Sequence, residues 1–332
     1  MYKNRNLVPI FRKENESDFE YKIRLCNMKL NKEIDYSWEE LVKVLGVKCN
    51  PDHLRKLSYG FKEFSEYINE KELAHNNRIK VLIMNDLHIP YHRDDLFEVI
   101  RKHKNVDYII LGGDIIDCES CSSFDSLERP SVEQELAMAH EVISKINKII
   151  DPTKTKIICI KGNHEERYTR DIMKMQQKEL QKMLNPNLLE MLQDGFTYYN
   201  KGKKSKYPAI ENFEYIDNWY VKLFNNLVVC HPKNFSNIGG KVSEQVSEYF
   251  LNQGILGKGD IAIFGHTHKF SMLKNNRRQG IFVVENGCMC KAMEYASNGK
   301  LGYTPQNSCY TYLEFEDGKK ININDIKVTH LE

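Results

Sequence analysis

Apolar positions along the chain fall into two textures. Over residues 1–76 they recur at helical spacing, and no run reads as a strand. Ser17 followed by Glu20 forms a capping box that opens a stretch carrying Phe19, Ile23, Leu25 and Met28, and Ser37 with Glu40 repeats it before Leu41, Val42 and Leu45. Gly46 stops that helix, and Asn50 followed by Pro51 starts another, with Leu54, Leu57, Phe61 and Phe64 spaced for one buried face. Helix, glycine turn, helix is compatible with a helix-turn-helix whose second helix, carrying Arg55, Lys56 and Lys62, lies in a nucleic-acid groove. It is more often a packing or oligomerisation module, and the near-cancelling charges of the segment favour that form.

Beyond this region, short apolar runs alternate with polar helical stretches, the rhythm of a layered α/β domain over 77–332. Strands are expected at Ile79 to Met84, Tyr108 to Leu111, Lys156 to Ile160, Asn226 to Cys230, Ile261 to Phe264 and Ile281 to Val284. A terminal hairpin is expected to pair Tyr310 to Phe315 with Ile321 to Ile323 around Asp317 and Gly318. Helical patterns lie near Asp94 to His103, Val132 to Ile150, Glu165 to Leu192 and Val242 to Leu251. Residues 201–206, Lys-Gly-Lys-Lys-Ser-Lys, form a basic patch in an expected loop, either simply solvated or a contact for a phosphate backbone.

Composition narrows the class. The chain has 332 residues, 41% hydrophobic and 28% charged, with a formal net charge of +2, which excludes collagenous and wholly disordered classes and any global basic field. No apolar run approaches the roughly 18 residues of a membrane span. Met1 to Lys13 lacks the apolar stretch of a secretory signal, and nine cysteines is an odd number, so a reducing cytoplasm is expected, bacterial or of a phage-infected host. Cys118 and Cys121, and Cys288 and Cys290, are closely spaced, but neither pair has the partner of a zinc ribbon, so reduced thiols are expected.

The chemistry sits at strand exits. Asp86 and His88 follow the first strand, Gly112-Gly113-Asp114 the second and Gly162-Asn163-His164-Glu165 the third; His231 and Gly265-His266-Thr267-His268 follow two later ones. Open α/β sheets place their ligands just beyond such ends. A lone histidine is more often a satisfied core residue, but five of the 11 histidines at successive strand exits outweigh that reading.

This ordered series resembles the calcineurin-like metallophosphoesterase superfamily over residues 79 to about 270. The resemblance implies an α/β fold, a four-layer αββα sandwich, here preceded by the small all-helical region. It implies two divalent metal ions, one held by Asp86, His88, Asp114 and His268, the other by Asp114, Asn163, His231 and His266, with Asp114 as the bridge. The mixed nitrogen and oxygen donors make Mn2+ the first choice, with Fe, Zn, Ni or Mg as alternatives. Such a pair lowers the pKa of a bridging water and orients the resulting hydroxide for in-line attack on phosphorus. His164, without a metal duty in the pattern, is the expected general acid or charge stabiliser for the leaving oxygen, with Glu165 a candidate to orient a nearby imidazole and Lys161 and Arg167 candidate phosphate contacts. Departures from the pattern disfavour two subfamilies: Asp117 is followed by Cys118-Glu119, unlike the Ser/Thr protein phosphatases, and Asp117 stands where purple acid phosphatases supply a tyrosine.

What remains is the Gly-His-x-His group, with some similarity to phage- or prophage-encoded members. The expected activity is that of a phosphodiesterase or nuclease acting on DNA or RNA, without membrane association. The alternative is a phosphatase or phosphodiesterase for a small molecule such as a nucleotide, with the leader used for assembly. The loops 120–129, 198–215 and 288–303 are the expected walls of the substrate site.

Overall fold

The structure, a computed structural model, describes residues 11–13, 16–122, 129–200, 202–236, 238–275, 280–292 and 306–332. The chain divides into two compact units, Met1–Asn77 and Arg78–Glu332.

In the first unit, both capping boxes form where the serines predict them. Ser17 caps α1 (Asp18–Leu30) and Ser37 caps α2 (Trp38–Leu45), each side chain accepting from the backbone of the third helical residue. Gly46 ends α2 in the left-handed region, at φ 62°, where its missing Cβ removes the steric cost. Asn50 then caps α3 (Pro51–Asn76). The buried cluster is Leu25, Cys26, Tyr36, Leu41 and Leu45, with Leu54 packed against it. The apolar faces read from spacing are only half right. Phe19 points into solvent, and so do Leu57 and Phe61, while Ser58 is buried and returns its hydroxyl to the Leu54 carbonyl at 2.7 Å. Phe64 has a side chain outside the described residues.

The second unit is built on β1 (Arg78–Met84), β2 (Tyr108–Leu111), β3 (Lys156–Ile160), β4 (Phe196–Asn200), β5 (Lys203–Tyr207), β6 (Phe213–Ile216), β7 (Tyr220–Leu223), β8 (Leu227–Cys230), β9 (Ile261–Phe264), β10 (Phe270–Asn275), β11 (Ile281–Asn286), β12 (Cys309–Glu316) and β13 (Ile326–His330). A six-stranded sheet runs β13-β12-β1-β2-β3-β6 and a five-stranded sheet β10-β11-β9-β8-β7. The strands β1, β2, β3 and β6 are parallel, as are β8, β9 and β11, so their carboxyl ends gather at one edge.

The two-residue period of a strand sorts the core into layers. Val81, Ile83, Ile110 and Ile160 meet Leu227, Val229, Ile261 and Ile263 between the sheets. Leu82, Met84, Ile109 and Leu111 face outward onto α4 (Leu96–Lys102), α5 (Val132–Asn147) and α8 (Leu188–Asp194) through Ile100, Ile143 and Leu189. Val228, Cys230, Ala262 and Phe264 face α9 (Lys241–Asn252) through Val242, Val246 and Phe250. Helices, sheet, sheet and helix therefore form the four-layer αββα arrangement. The nine cysteines are free thiols.

Three local expectations are corrected. Ile321 to Ile323 is not the hairpin's second strand. Asn226 clamps the Ile321 backbone, donating to its carbonyl at 3.0 Å and accepting from its N–H at 2.9 Å, so those groups cannot join a ladder. The strand β13 pairs with β12 after the chain passes a short 3-10 turn at Ile323–Asp325. The stretch from Glu165 to Leu192 breaks into α6 (Glu165–Lys174), α7 (Lys178–Met183) and α8, with Pro186 in the second break. Finally, the basic segment is not a plain loop: Lys203, Lys204 and Lys206 lie on β5, paired antiparallel with β4, while Lys201 lies outside the described residues.

Candidate metal centre

All seven candidate ligands sit just past strand carboxyl ends. Asp86 and His88 follow β1, Asp114 follows β2, Asn163 follows β3, His231 follows β8, and His266 and His268 follow β9. Five of them, Asp86, His88, Asp114, His266 and His268, hold φ between 47° and 79°, a region that costs a non-glycine residue about 1–2 kcal/mol. Local hydrogen bonds retain this strain: His88 N–H donates to the Asp114 carbonyl at 2.9 Å and His266 N–H to Asp86 Oδ2 at 2.9 Å. Close backbone approach needs the glycines. A Cβ on Gly162 would lie 2.1 Å from the Asp114 nitrogen, and one on Gly113 would lie 2.5 Å from His231 Nδ1.

The donors form two adjoining groups. In one, His88 Nε2 lies 3.1 Å from His268 Nε2, 3.9 Å from Asp86 Oδ1 and 3.8 Å from Asp114 Oδ2, and His268 Nε2 lies 3.4 Å from Asp86 Oδ1. In the other, His231 Nε2 lies 3.1 Å from Asp114 Oδ2 and 3.1 Å from Asn163 Oδ1. Asp114, His231 and His266 also bring donor atoms within 4.8 Å of one another. Asp114 belongs to both groups. Its Oδ1 accepts from His164 N–H at 2.9 Å, leaving Oδ2 at the junction.

The tautomers test whether cations fit. His231 Nδ1 must donate to the Gly112 carbonyl, 2.9 Å away, because a carbonyl only accepts. On a neutral ring, Nε2 then turns its lone pair toward two oxygens. The His88 Nδ1 donates to Asp117 Oδ1 at 2.8 Å, so its Nε2 lone pair likewise faces His268. The buried His266 Nε2 has no hydrogen-bond partner among the described residues. With these rings neutral, the lone pairs of His88 Nε2 and His231 Nε2 converge with the carboxylate oxygens, an arrangement that a cation satisfies. Their separations suit metal–ligand bonds of about 2.0–2.2 Å, whose polyhedron edges are roughly 3 Å or slightly more.

Charge tells the same story. Burial opposes a charged ring on His231, but Asp114 overrides it and pushes the residue up to about 10. Burial opposes charge on His268 too, and Asp86 raises it to about 9. His266 falls to about 4 through burial and the charge of His231. Burial would raise Asp86 and Asp114, yet the neighbouring histidines hold both below the usual carboxylate range. The pocket of carboxylates thus demands positive charge.

Around this centre, His164 Nδ1 donates to the Asp117 carbonyl at 2.7 Å, and Arg167 Nη2 donates to His164 Nε2 at 2.7 Å. Lys161 is engaged with Asp217 at 2.7 Å, so its charge is compensated away from the centre. Glu165 does not orient an imidazole. Its carboxylate accepts from the N–H groups of Ile115, Ile116 and Gly162 at 2.7, 2.9 and 3.0 Å, tying together the loops that carry Asp114 and Asn163. Burial raises Glu165 to about 7.

Two contributors escaped the sequence. Asp117 served there only to separate subfamilies, yet its side chain lies 2.8 Å from His88 Nδ1 and 3.1 Å from His164 Nδ1, positioning both rings. Its spacing from Asp114 was the available signal. Cys290 Sγ lies 3.9 Å from His268 Nδ1, a contact that no spacing announced. Of the expected walls, residues 123–128 and 293–303 lie outside the described residues.

A family model described as calcineurin-like phosphoesterase matches residues 79–270, more than half of the chain. Among solved structures, the phosphoesterase Yfce from E. coli is 17% identical at TM-score 0.34, with 76% of this chain and 98% of that one covered. A metallophosphoesterase from Sphaerobacter thermophilus is 11% identical at TM-score 0.35, covering 77% and 89%. A structure titled as a novel archaeal phosphodiesterase is 16% identical at TM-score 0.31, covering 76% and 100%. No curated protein gives a significant match.

Proposed function

The chain belongs to the calcineurin-like phosphoesterase family, a metal-dependent class of hydrolase, and from that membership we propose that it is a dinuclear phosphodiesterase acting on nucleic acid. Asp86, His88, Asp114 and His268 hold one divalent ion; Asp114, Asn163, His231 and His266 hold the other, with Mn2+ as the first choice for both. Bound there, such ions supply Lewis-acid polarisation of the phosphoryl oxygens and a water of lowered pKa.

The chain's own residues do the rest. His164 is held by the Asp117 carbonyl at Nδ1, which aims Nε2 at the centre, 3.8 Å from Asp114 Oδ2. From there it delivers a proton to the departing oxygen. The Arg167 guanidinium, now resting on His164 Nε2, turns to a non-bridging phosphoryl oxygen when substrate enters, which frees that nitrogen to carry the proton. Glu165, by gathering three backbone donors, keeps Asp114 and Asn163 in register.

The reading of a phosphoesterase rests on one observation, the sharing of Asp114 between two converging donor groups. Nucleic acid as the substrate class is supported by the β4–β5 ribbon, where Lys203, Lys204 and Lys206 are exposed and Lys204 Nζ lies 6.0 Å from the centre of the exposed Tyr199 ring. Lysines beside an aromatic match a phosphate backbone with unpaired bases. No helix among the described residues is long and apolar enough to cross a membrane.

The test is to incubate the Mn2+-loaded protein separately with single-stranded DNA, duplex DNA, RNA, a bis-aryl phosphodiester and an aryl phosphomonoester. Cleavage of a nucleic acid and of the diester is expected. Cleavage of the monoester alone would replace this reading with that of a small-molecule phosphatase.

A further inference from the structure

Beside the centre, on the α9 side of the five-stranded sheet, lies a cavity of about 440 Å3, within the roughly 300–1,000 Å3 range of small-ligand sites. Part of its wall adjoins residues of the centre along the chain or through a backbone bond. Pro232 follows His231, Glu166 lies two residues after His164, and the Trp219 carbonyl accepts from His231 N–H at 2.7 Å. We propose that this cavity is a nucleobase subsite, receiving the base attached to the phosphate that is cleaved. The proposal rests on the phosphodiesterase reading above and adds to it the group that selects the substrate.

The wall chemistry points to a flat aromatic ligand with a polar edge. Trp219 is held rigidly, stacked on Phe250 with ring centroids 5.1 Å apart and planes 15° apart. Tyr249 stands beside it at 6.3 Å and is 51% exposed, so much of its ring is open to a stacking partner. Asn234 and Gln245 line the same cavity and are exposed, and their side-chain amides make no hydrogen bond among the described residues. Each amide both donates and accepts, as the edge of a base requires. Lys233, paired with Glu166, places a cation on the side toward the centre, where the phosphate of a bound nucleotide lies. A sugar phosphate would leave the aromatic wall unused, and an aliphatic chain would leave the amides unused.

Two readouts test the subsite. In the first, the full chain is titrated with adenosine 5′-monophosphate while tryptophan fluorescence is followed. Saturable quenching is expected, ribose 5-phosphate should give none, Tyr249→Ala should weaken binding roughly tenfold, and Tyr249→Phe should bind as the parent does. Nucleotide quenching no better than ribose 5-phosphate, or unaffected by Tyr249→Ala, overturns the proposal whether or not the protein hydrolyses any ester.

In the second, the Mn2+-loaded protein is assayed on thymidine 5′-(p-nitrophenyl phosphate) and on methyl p-nitrophenyl phosphate, which share a leaving group and differ in carrying a nucleoside or a methyl group. Tyr249→Ala should lower the ratio of their kcat/KM values roughly tenfold, through KM of the nucleotide ester, and leave the methyl ester unchanged. Turnover of both with a ratio indifferent to Tyr249 overturns the subsite and leaves the phosphodiesterase reading standing. Turnover of neither overturns that reading, and the fluorescence titration then decides the subsite alone.

Discussion

The N-terminal helical unit and the α/β unit both bury apolar clusters, but the α/β unit buries a set of ionisable side chains as well. In the first, the fully covered side chains are apolar, Leu25 and Leu41 among them, while Leu57, Tyr59 and Phe61 remain in solvent. In the second, Asp86, His88, Asp114 and His231 are each no more than 1% exposed. An exposed apolar side chain costs little, because there is never enough polar surface to cover a protein. Burying charge costs several kcal/mol unless it is paired. A fold that buries these four ionisable groups at one edge therefore retains them for something other than stability, whereas the exposed side chains of α3 make no such demand.

Breaking the comparison at its strongest point means removing the shared carboxylate. Asp114→Ala is expected to lower hydrolysis by more than about 10³-fold, beyond the loss of a single transition-state donor, and to release metal. Elemental analysis after gel filtration checks the second half; retained metal at parental stoichiometry would contradict the shared-ligand role. The next largest effect separates holding from chemistry. His164→Ala should cost roughly 10²–10⁴-fold in kcat while metal content stays as in the parent.

A buried acid away from the donor groups sharpens the point about charge. Burial pushes Glu135 up to about 8, with one oxygen accepting from Glu119 N–H at 3.0 Å and the other without a partner among the described residues. Folding therefore binds a proton at this site. The associated stability is complete below about pH 4.5 and disappears as pH rises through about 8. Glu135→Gln should flatten that slope, narrowing the stability difference between acid and alkaline buffer by roughly 1–3 kcal/mol in denaturant titrations. An unchanged slope would assign the pH dependence elsewhere. The smallest effect belongs to the helical unit: Leu57→Ala should change stability by no more than about 0.5 kcal/mol, against about 2–5 kcal/mol for Leu41→Ala. Equal costs at the two positions would mean that α3 buries the face its spacing suggests.

Legibility followed the range of the forces involved. The capping boxes of α1 and α2 and the Gly46 stop are local, satisfied within three or four residues, and they were readable. The strands β1, β2, β3, β8, β9 and β11 were readable because they are apolar runs buried on both faces. The strands β4, β5, β6, β7, β10 and β13 were missed: β5, β6, β7 and β13 are partly exposed and are not continuous buried runs, and partners elsewhere in the chain decide whether such segments pair. Which side of α3 packs was also unreadable, since Leu54 turns inward onto a cluster supplied by α1 and α2, and Ser58, one turn on, is buried with it. Within the candidate site, the donor residues stood out by their place after strand exits, but Asp117 and the true work of Glu165 depend on loops brought together across 47 to 50 positions.

Residue order along the polypeptide was enough to indicate a layered α/β domain and the supply of carboxylates, imidazoles and an amide at the strand exits, because runs of apolar residues and the placement of glycine are short-range consequences of backbone geometry; the αββα order came only with the family resemblance. Assembly in three dimensions decided which lone pairs face one another, that one oxygen of Asp114 stands free at their junction, and that an aromatic cavity opens beside it. Those outcomes depend on distances between segments remote in the chain, set by how two sheets and their covering helices close-pack.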